Sequence, residues 1–137
     1  MAEGNFRNEK MEQKFSSPQE ELDYLRGEVA KHEKKLLEKG EVIPREEIIT
    51  DKIIDYKNIK PEEILHPEYQ LKEKEVESII LDLAPEEHDS KMEELVSILQ
   101  AKGLLNALSV VDGLKDAHLD DDFHRFLVQY IKAGVPV

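Results

Sequence analysis

The chain has 137 residues, enough for one modest domain, and 36% of them are charged. It contains no cysteine, which excludes disulfides, thiolate nucleophiles and cysteine-ligated metal sites. The net charge of −12 argues against nucleic acid or anionic lipid as a partner. The chain has no signal-peptide pattern and no apolar run near the roughly 20 residues that span a bilayer. We therefore expect a cytoplasmic protein that does not span a membrane.

The negative charge is concentrated in the middle of the chain. Residues 61–102 contain 12 acidic and 4 basic residues, a net of −8. Such a surface is complementary to a basic protein partner. The sequence thus predicts one or more protein partners, of which a basic protein is one kind.

The first 40 residues are predicted to form a flexible tail and then a long helix. Residues 1–16 are polar and show no apolar periodicity, which is typical of a flexible segment. Residues 17–40 predict a helix. Ser17 is suited to be its N-cap, Pro18 to be its first residue and Glu20 to complete a capping box. Gly40 is suited to end it.

The long helix has a narrow apolar stripe, which the sequence predicts as an interaction surface. The spacing is that of a short coiled-coil seam, and its residues are Leu22, Leu25, Val29, His32 and Leu36. In a parallel homodimer, Glu21 of one chain would face Arg26 of the other. The alternative is that the helix packs on the rest of its own domain. The stripe alone does not decide between them.

Residues 41–89 are predicted to be a helical connecting region, and residues 90–137 a compact three-helix unit. In this unit Ser90 and Glu93 form a second capping box, and Gly103, Gly113 and Gly134 end the three helices. The expected fold class is all-α, with about five to six helices. The predicted core of the unit is Leu95, Leu99, Leu105, Leu108, Val111, Phe123, Phe126, Leu127 and Tyr130.

The stretch HLDDDFHRFL, residues 118–127, has two interpretations. Asp120 is suited to cap the last helix, and the next two aspartates would lie where its N-terminus favours negative charge. A metal site would instead need His118, Asp121 and His124 to converge. That spacing matches no established ligand pattern and lacks the glycine of a calcium-binding loop. We therefore predict no metal and no other cofactor, and keep these three residues as candidates.

The sequence contains no recognisable catalytic constellation. It lacks the glycine-rich phosphate-binding motifs and any nucleophile motif with its partner base. A three-helix unit could be a helix-turn-helix, but three aspartates would then meet the DNA phosphates. The sequence therefore predicts a protein that is not an enzyme and does not bind nucleic acid.

The segment KGLLNALSVVDGLKDAHLDDDFHRFLVQYIKAGVPV carries a family resemblance. Residues 94–137 are similar to an acidic helical segment at the N-terminus of uncharacterised bacterial proteins. In those proteins the segment precedes regions like type IV secretion or conjugation ATPases. This chain lacks the ATPase motifs, so the resemblance transfers no catalytic residue. It implies an accessory N-terminal domain of a secretion-type ATPase assembly.

These observations favour a non-catalytic interaction or adaptor domain. The alternatives are a self-assembling coiled-coil scaffold, which would be a homodimer through the apolar stripe, and a metal-dependent enzyme using His118, Asp121 and His124.

Overall fold

The computed structural model describes residues 14–59 and 61–135, and this part of the chain is built from helices. The predicted all-α class with five to six helices is confirmed. Two short turns, Pro61–Ile64 and the 3-10 turn Pro67–Tyr69, separate the second and third helices. The six longer helices are α1 Pro18–Glu38, α2 Arg45–Tyr56, α3 Glu73–Leu83, α4 His88–Lys102, α5 Leu104–Leu114 and α6 Ala117–Lys132.

The helices share one continuous hydrophobic core, to which each of the six contributes. Helices α4, α5 and α6 contact one another, as the predicted three-helix unit requires. Helix α1 packs against all three and against α2, while α2 also packs on α6 and α3 on α5. The core of residues 90–135 therefore continues into the N-terminal half of the chain.

Most of the predicted core residues are buried. The two exceptions, Phe126 and Tyr130, are only partly buried. They lie one turn apart at the edge of α6 with their rings stacked, 5.5 Å between centroids. The buried ones are Leu95, Leu99, Leu105, Leu108, Val111, Phe123 and Leu127.

The predicted tail ends earlier than residue 16, because Phe15 belongs to the fold. Its side chain is buried and lies against the ring of Tyr24, 5.4 Å away. Its backbone forms a parallel bridge with Leu65, donating to the carbonyl of Ile64 and accepting from the N–H of His66. Residues 1–13 of the predicted tail lie outside the described part of the chain.

The helix boundaries confirm the first predicted cap and correct two others. The Ser17 side chain accepts from the Glu20 N–H, as predicted, but the Glu20 carboxylate accepts from the N–H of Ser16 and does not complete the predicted capping box. Helix α4, however, begins at His88, so Ser90 is inside its first turn and is not the cap. Helix α6 is capped by Asp116, which places Asp120 inside the helix. The cap lies further back because Leu119, which is fully buried, is already part of α6.

Helix α5 also ends later than predicted. It continues to Leu114 and ends at Lys115, which has the left-handed φ of 51°. Gly113 is therefore inside the helix, where a Cβ would collide with the side chain of Ile80. The glycine allows α3 to approach α5 closely and does not terminate the helix.

Candidate functional site

The apolar stripe of α1 faces the interior of its own chain. His32 is partly buried, with no hydrogen-bond partner for its buried Nδ1 among the described residues. The other four stripe residues are buried, namely Leu22, Leu25, Val29 and Leu36. The structure therefore has the arrangement in which α1 packs on its own domain. The predicted interaction surface is not exposed, and a coiled-coil dimer through it would require α1 to leave the core.

Glu21, beside this stripe, is a buried carboxylate that caps a different helix. Its Oε1 accepts from the N–H of Leu104 at 2.9 Å, and its Oε2 accepts from the N–H of Leu105 at 3.1 Å. The hydroxyl of Tyr56 donates to the same Oε2. Gly103 precedes α5 and supplies no capping side chain. A Cβ at this position, where φ is +98°, would collide with Oε1 of Glu21.

Burial raises the pKa of Glu21 above its ordinary value, against the effect of the Tyr56 hydroxyl and the two backbone N–H groups. A perturbed carboxyl can mark a catalytic site. Both oxygens of Glu21 are already occupied by hydrogen-bond donors from the protein, and the residue is 1% exposed. We therefore assign it a structural role.

Arg26 caps the C-terminal end of α6, as Glu21 caps the N-terminal end of α5. Its guanidinium donates to the carbonyls of Tyr130, at 2.7 Å, and Ile131, at 3.1 Å. These carbonyls belong to the last turn of the helix, whose dipole favours a cation there. Glu21 and Arg26, which would pair across a homodimer, thus both bind helix ends within their own chain.

The three candidate metal ligands do not converge. Asp121 is exposed, and Nδ1 of His124 donates back to the carbonyl of Asp120, 2.8 Å away. His118 faces a different pair of residues, His88 and Asp122. His118 was a candidate metal ligand from the sequence alone. His88 was not, because it lies 30 positions earlier and on another helix.

His88, His118 and Asp122 form a compact cluster between the N-terminal turns of α4 and α6. Nε2 of His88 lies 2.7 Å from Oδ2 of Asp122, and Nε2 of His118 lies 3.5 Å from the same oxygen. The two imidazole rings stack with 4.6 Å between their centroids. The cluster is therefore open to solvent on the side of His118, whose side chain is 77% exposed.

A groove of about 510 Å³ runs between α3 and α4, and we call it the acidic groove. Its apolar lining comes from Ile79 and Leu83, and Ser90 and Ser97 add hydroxyls. Among the described residues, none of its carboxylates has an ion-pair partner. These carboxylates belong to Asp82, Glu86, Glu93 and Glu94.

A smaller apolar patch lies at the turn between α1 and α2. Leu37, Val42 and Ile43 are exposed there, beside a groove of about 240 Å³. Its charged lining is mixed, because Arg45 is paired with Glu33 at 2.6 Å. Unlike the acidic groove, this patch has no strong charge to indicate its occupant.

Within the described part of the chain, no helix is long and apolar enough to cross a membrane, as expected. No family model matches this sequence, and no curated protein and no solved structure matches it either.

Proposed function

We propose that this chain is a non-catalytic protein-interaction domain whose acidic groove binds a basic segment of a partner protein. The observation that supports the proposal is the groove itself. It combines four carboxylates without described ion-pair partners and an apolar lining from Ile79 and Leu83. It lies within residues 61–102, where the net charge is −8.

The chemistry of the groove matches an amphipathic basic helix or strand. Lysines or arginines of the partner would pair with Asp82, Glu86, Glu93 and Glu94 at the rim, while an apolar side chain covers the partly exposed Ile79. Exposed ion pairs contribute little individually, so the contact depends on several of them together with the apolar burial. Electrostatic attraction would mainly speed association and make it sensitive to salt.

The resemblance of residues 94–137 indicates which partners to test first. Subunits of a secretion-type ATPase assembly are the first candidates, with this chain as an accessory domain on the cytoplasmic side. The segment that carries the resemblance begins at residue 94, within α4, and α4 is one of the two helices that form the groove, together with α3.

The test is capture of partners from native lysate by the full chain, with a carbodiimide that joins carboxylates directly to lysines. We expect cross-links between partner lysines and the groove carboxylates. A groove variant with Asp82→Asn, Glu86→Gln, Glu93→Gln and Glu94→Gln should bind that partner about tenfold more weakly. This follows if each exposed pair is worth about 0.3–0.5 kcal/mol.

A matched control removes the same number of charges from α1 and α2. The variant Glu38→Gln, Glu47→Gln, Asp51→Asn and Asp55→Asn changes four exposed acids that do not line the groove. It should bind the partner as the wild type does. Equal weakening of partner binding by both variants would mean that only the overall charge matters. If the groove variant binds the partner as tightly as the wild type, the groove is not the binding site. Deletion of α1 is not a usable test, because it removes part of the core.

A further inference from the structure

The cluster of His88, His118 and Asp122 has the composition of a transition-metal site. Two imidazole nitrogens and one carboxylate oxygen lie within 4.8 Å of one another. His88 is the first residue of α4, while His118 and Asp122 are one turn apart on α6. Imidazole and carboxylate are common ligands of zinc and of other divalent first-row metals.

Within the cluster, Nε2 of His118 has no good hydrogen bond. The 2.7 Å contact between His88 and Asp122 has the length of a hydrogen bond. The 3.5 Å contact between His118 Nε2 and the same Oδ2 is too long for a good one. Two imidazoles are thus directed at a single oxygen that binds only one of them well. A cation between the three groups would engage all of them.

The distances also suit a small ion. Around tetrahedral zinc, ligand atoms bound at about 2.0–2.1 Å lie roughly 3.3 Å from one another. The two contacts to Oδ2 of Asp122, 2.7 and 3.5 Å, lie on either side of that separation, and the two imidazole nitrogens lie within 4.8 Å of each other. The stacked rings must turn toward a common point to bind one ion, and the exposed His118 has room to do so.

The charged side chains around the cluster favour a cation, although the N-terminal ends of α4 and α6 oppose one. The carboxylate of Asp116, the cap of α6, comes two residues before His118 at the start of that helix. Lys91, one turn after His88, is drawn toward Asp116 at 3.7 Å. Asp120 and Asp121 follow in the same turns of α6. The cluster therefore lies in a region where carboxylates outnumber bases.

We propose that His88, His118 and Asp122 bind one divalent transition-metal ion, for which Zn²⁺ is the probe. The fourth coordination position faces solvent beside His118. The bound ion would join the N-terminal turn of α4 to that of α6. This site is independent of the partner proposed for the acidic groove, and it differs from the set predicted from sequence by replacing Asp121 and His124.

The test is calorimetric titration of metal-free full-length protein with Zn²⁺, together with the melting temperature with and without the ion. We expect one Zn²⁺ per chain and a higher melting temperature when it is bound. His118→Ala and Asp122→Asn should each weaken binding at least about tenfold. Loss of a residue that only hydrogen-bonds to a metal ligand already weakens metal binding about 10- to 100-fold, so loss of a direct ligand should weaken it at least as much.

Two variants are matched controls. Asp121→Asn changes the neighbouring, exposed carboxylate, and His66→Ala removes an exposed histidine from a different part of the chain. Both should bind Zn²⁺ within about twofold of wild type, since neither is a ligand. Because His118 is exposed, its replacement should leave the helical circular dichroism spectrum unchanged.

Several outcomes would overturn the proposal. They are the absence of saturable binding, wild-type affinity in His118→Ala or Asp122→Asn, or loss of binding in Asp121→Asn. Displacement of Zn²⁺ by equimolar Mg²⁺ would also overturn it, because imidazole ligands favour transition metals over Mg²⁺. Such displacement would indicate loose binding of cations to the acidic surface.

Discussion

The carboxylate of Glu21 supplies the N-terminal cap that α5 lacks. Its acceptance of the Leu104 and Leu105 N–H groups satisfies two donors that would otherwise have no partner inside the protein. An anion near a helix N-terminus is also favourable in itself. From sequence, Glu21 could only be expected on a helix face beside the apolar stripe. The contact joins residues 83 positions apart, and no local pattern encodes it.

Glu21→Gln should destabilise the protein by about 1–3 kcal/mol. The amide has only one acceptor oxygen, so its NH₂ group must face the N–H of either Leu104 or Leu105 and leave that donor unsatisfied. The free energy of unfolding in urea, followed by circular dichroism, measures the effect. The matched control is Glu38→Gln, an exposed residue at the end of the same helix, which should change stability by less than about 0.5 kcal/mol. Equal stability of the two variants would contradict the capping role.

The same carboxyl predicts a pH dependence of a defined sign. Burial raises the pKa of Glu21 in the folded state above its ordinary value of 4.5, so the folded protein holds this proton more tightly than the unfolded chain. The contribution of Glu21 to stability is then greatest below pH 4.5 and decreases as the pH rises through the raised pKa.

The measurement is the difference in unfolding free energy between the wild type and Glu21→Gln at successive pH values. Taking the difference cancels the groups that the two proteins share. We expect wild type to be the more stable at each pH, with a gap that narrows as the pH rises from about 4.5. A gap that widens over the same range would show that the hydrogen bonds to the ionised form outweigh burial.

At the scale of single elements, periodicity predicted the helices and left their ends uncertain. The apolar spacing placed α1, α4, α5 and α6 within a few residues of their observed positions. Capping boxes were less reliable, because Ser17 caps α1 whereas Ser90 lies inside α4. Serine followed three residues later by glutamate also occurs by chance in a chain so rich in acidic residues. Only the backbone conformation distinguishes the two cases.

Ser17 and Ser90 therefore form a matched pair of substitutions. Ser17→Ala removes the acceptor of the Glu20 N–H and should cost about 0.5–2 kcal/mol. Ser90→Ala replaces an exposed residue within a helix turn, where alanine has the better helix propensity, so stability should be unchanged or slightly increased. Thermal and urea unfolding measure both. A larger loss from Ser90→Ala than from Ser17→Ala would reverse the assignment of the caps.

The candidate sites were predictable only where their residues are close in sequence. His118 and Asp122 are four apart on one helix, but the candidate ligands in that stretch were His118, Asp121 and His124, and no metal was predicted. The third member of the cluster, His88, comes from the start of α4, which only the packing of α4 on α6 brings close. The acidic groove was foreseen as a charged segment, but its shape depends on how α3 and α4 diverge.

For the whole molecule, α1 is the element that connects the two halves of the chain. It contacts α2, α4, α5 and α6, and its Glu21 and Arg26 bind the ends of α5 and α6. An ion pair from Lys132 to Glu46 adds to this connection, while the pair of Arg45 and Glu33 joins α2 to α1 within the N-terminal half. The sequence predicted a compact C-terminal three-helix unit because its apolar stripes lie close together along the chain. Sequence distance, however, says nothing about which helices share a core.

The shared core leads us to expect a single cooperative unfolding transition. Detaching α1 would expose Leu22, Leu25, Val29 and Leu36, each worth about 1.5–3 kcal/mol when fully buried. It would also break the bonds of Glu21 and Arg26. The conformational entropy that the released helix regains offsets part of this cost, and what remains is a large share of the about 5–15 kcal/mol that stabilises a whole domain. A state with α1 detached would also leave α4–α6 without the core contacts that they share with α1, so we expect the two halves to open together.

Native-state hydrogen exchange tests this expectation. The buried stretch of α1, residues 22–29, should exchange with the same opening free energy as residues 104–111 of α5. The value should also match the unfolding free energy from urea. If α1 instead exchanges at a clearly lower free energy while α5 stays protected, the C-terminal helices form the stable unit by themselves. The stripe on α1 would then be available to a partner in the partly open state, as the coiled-coil alternative requires.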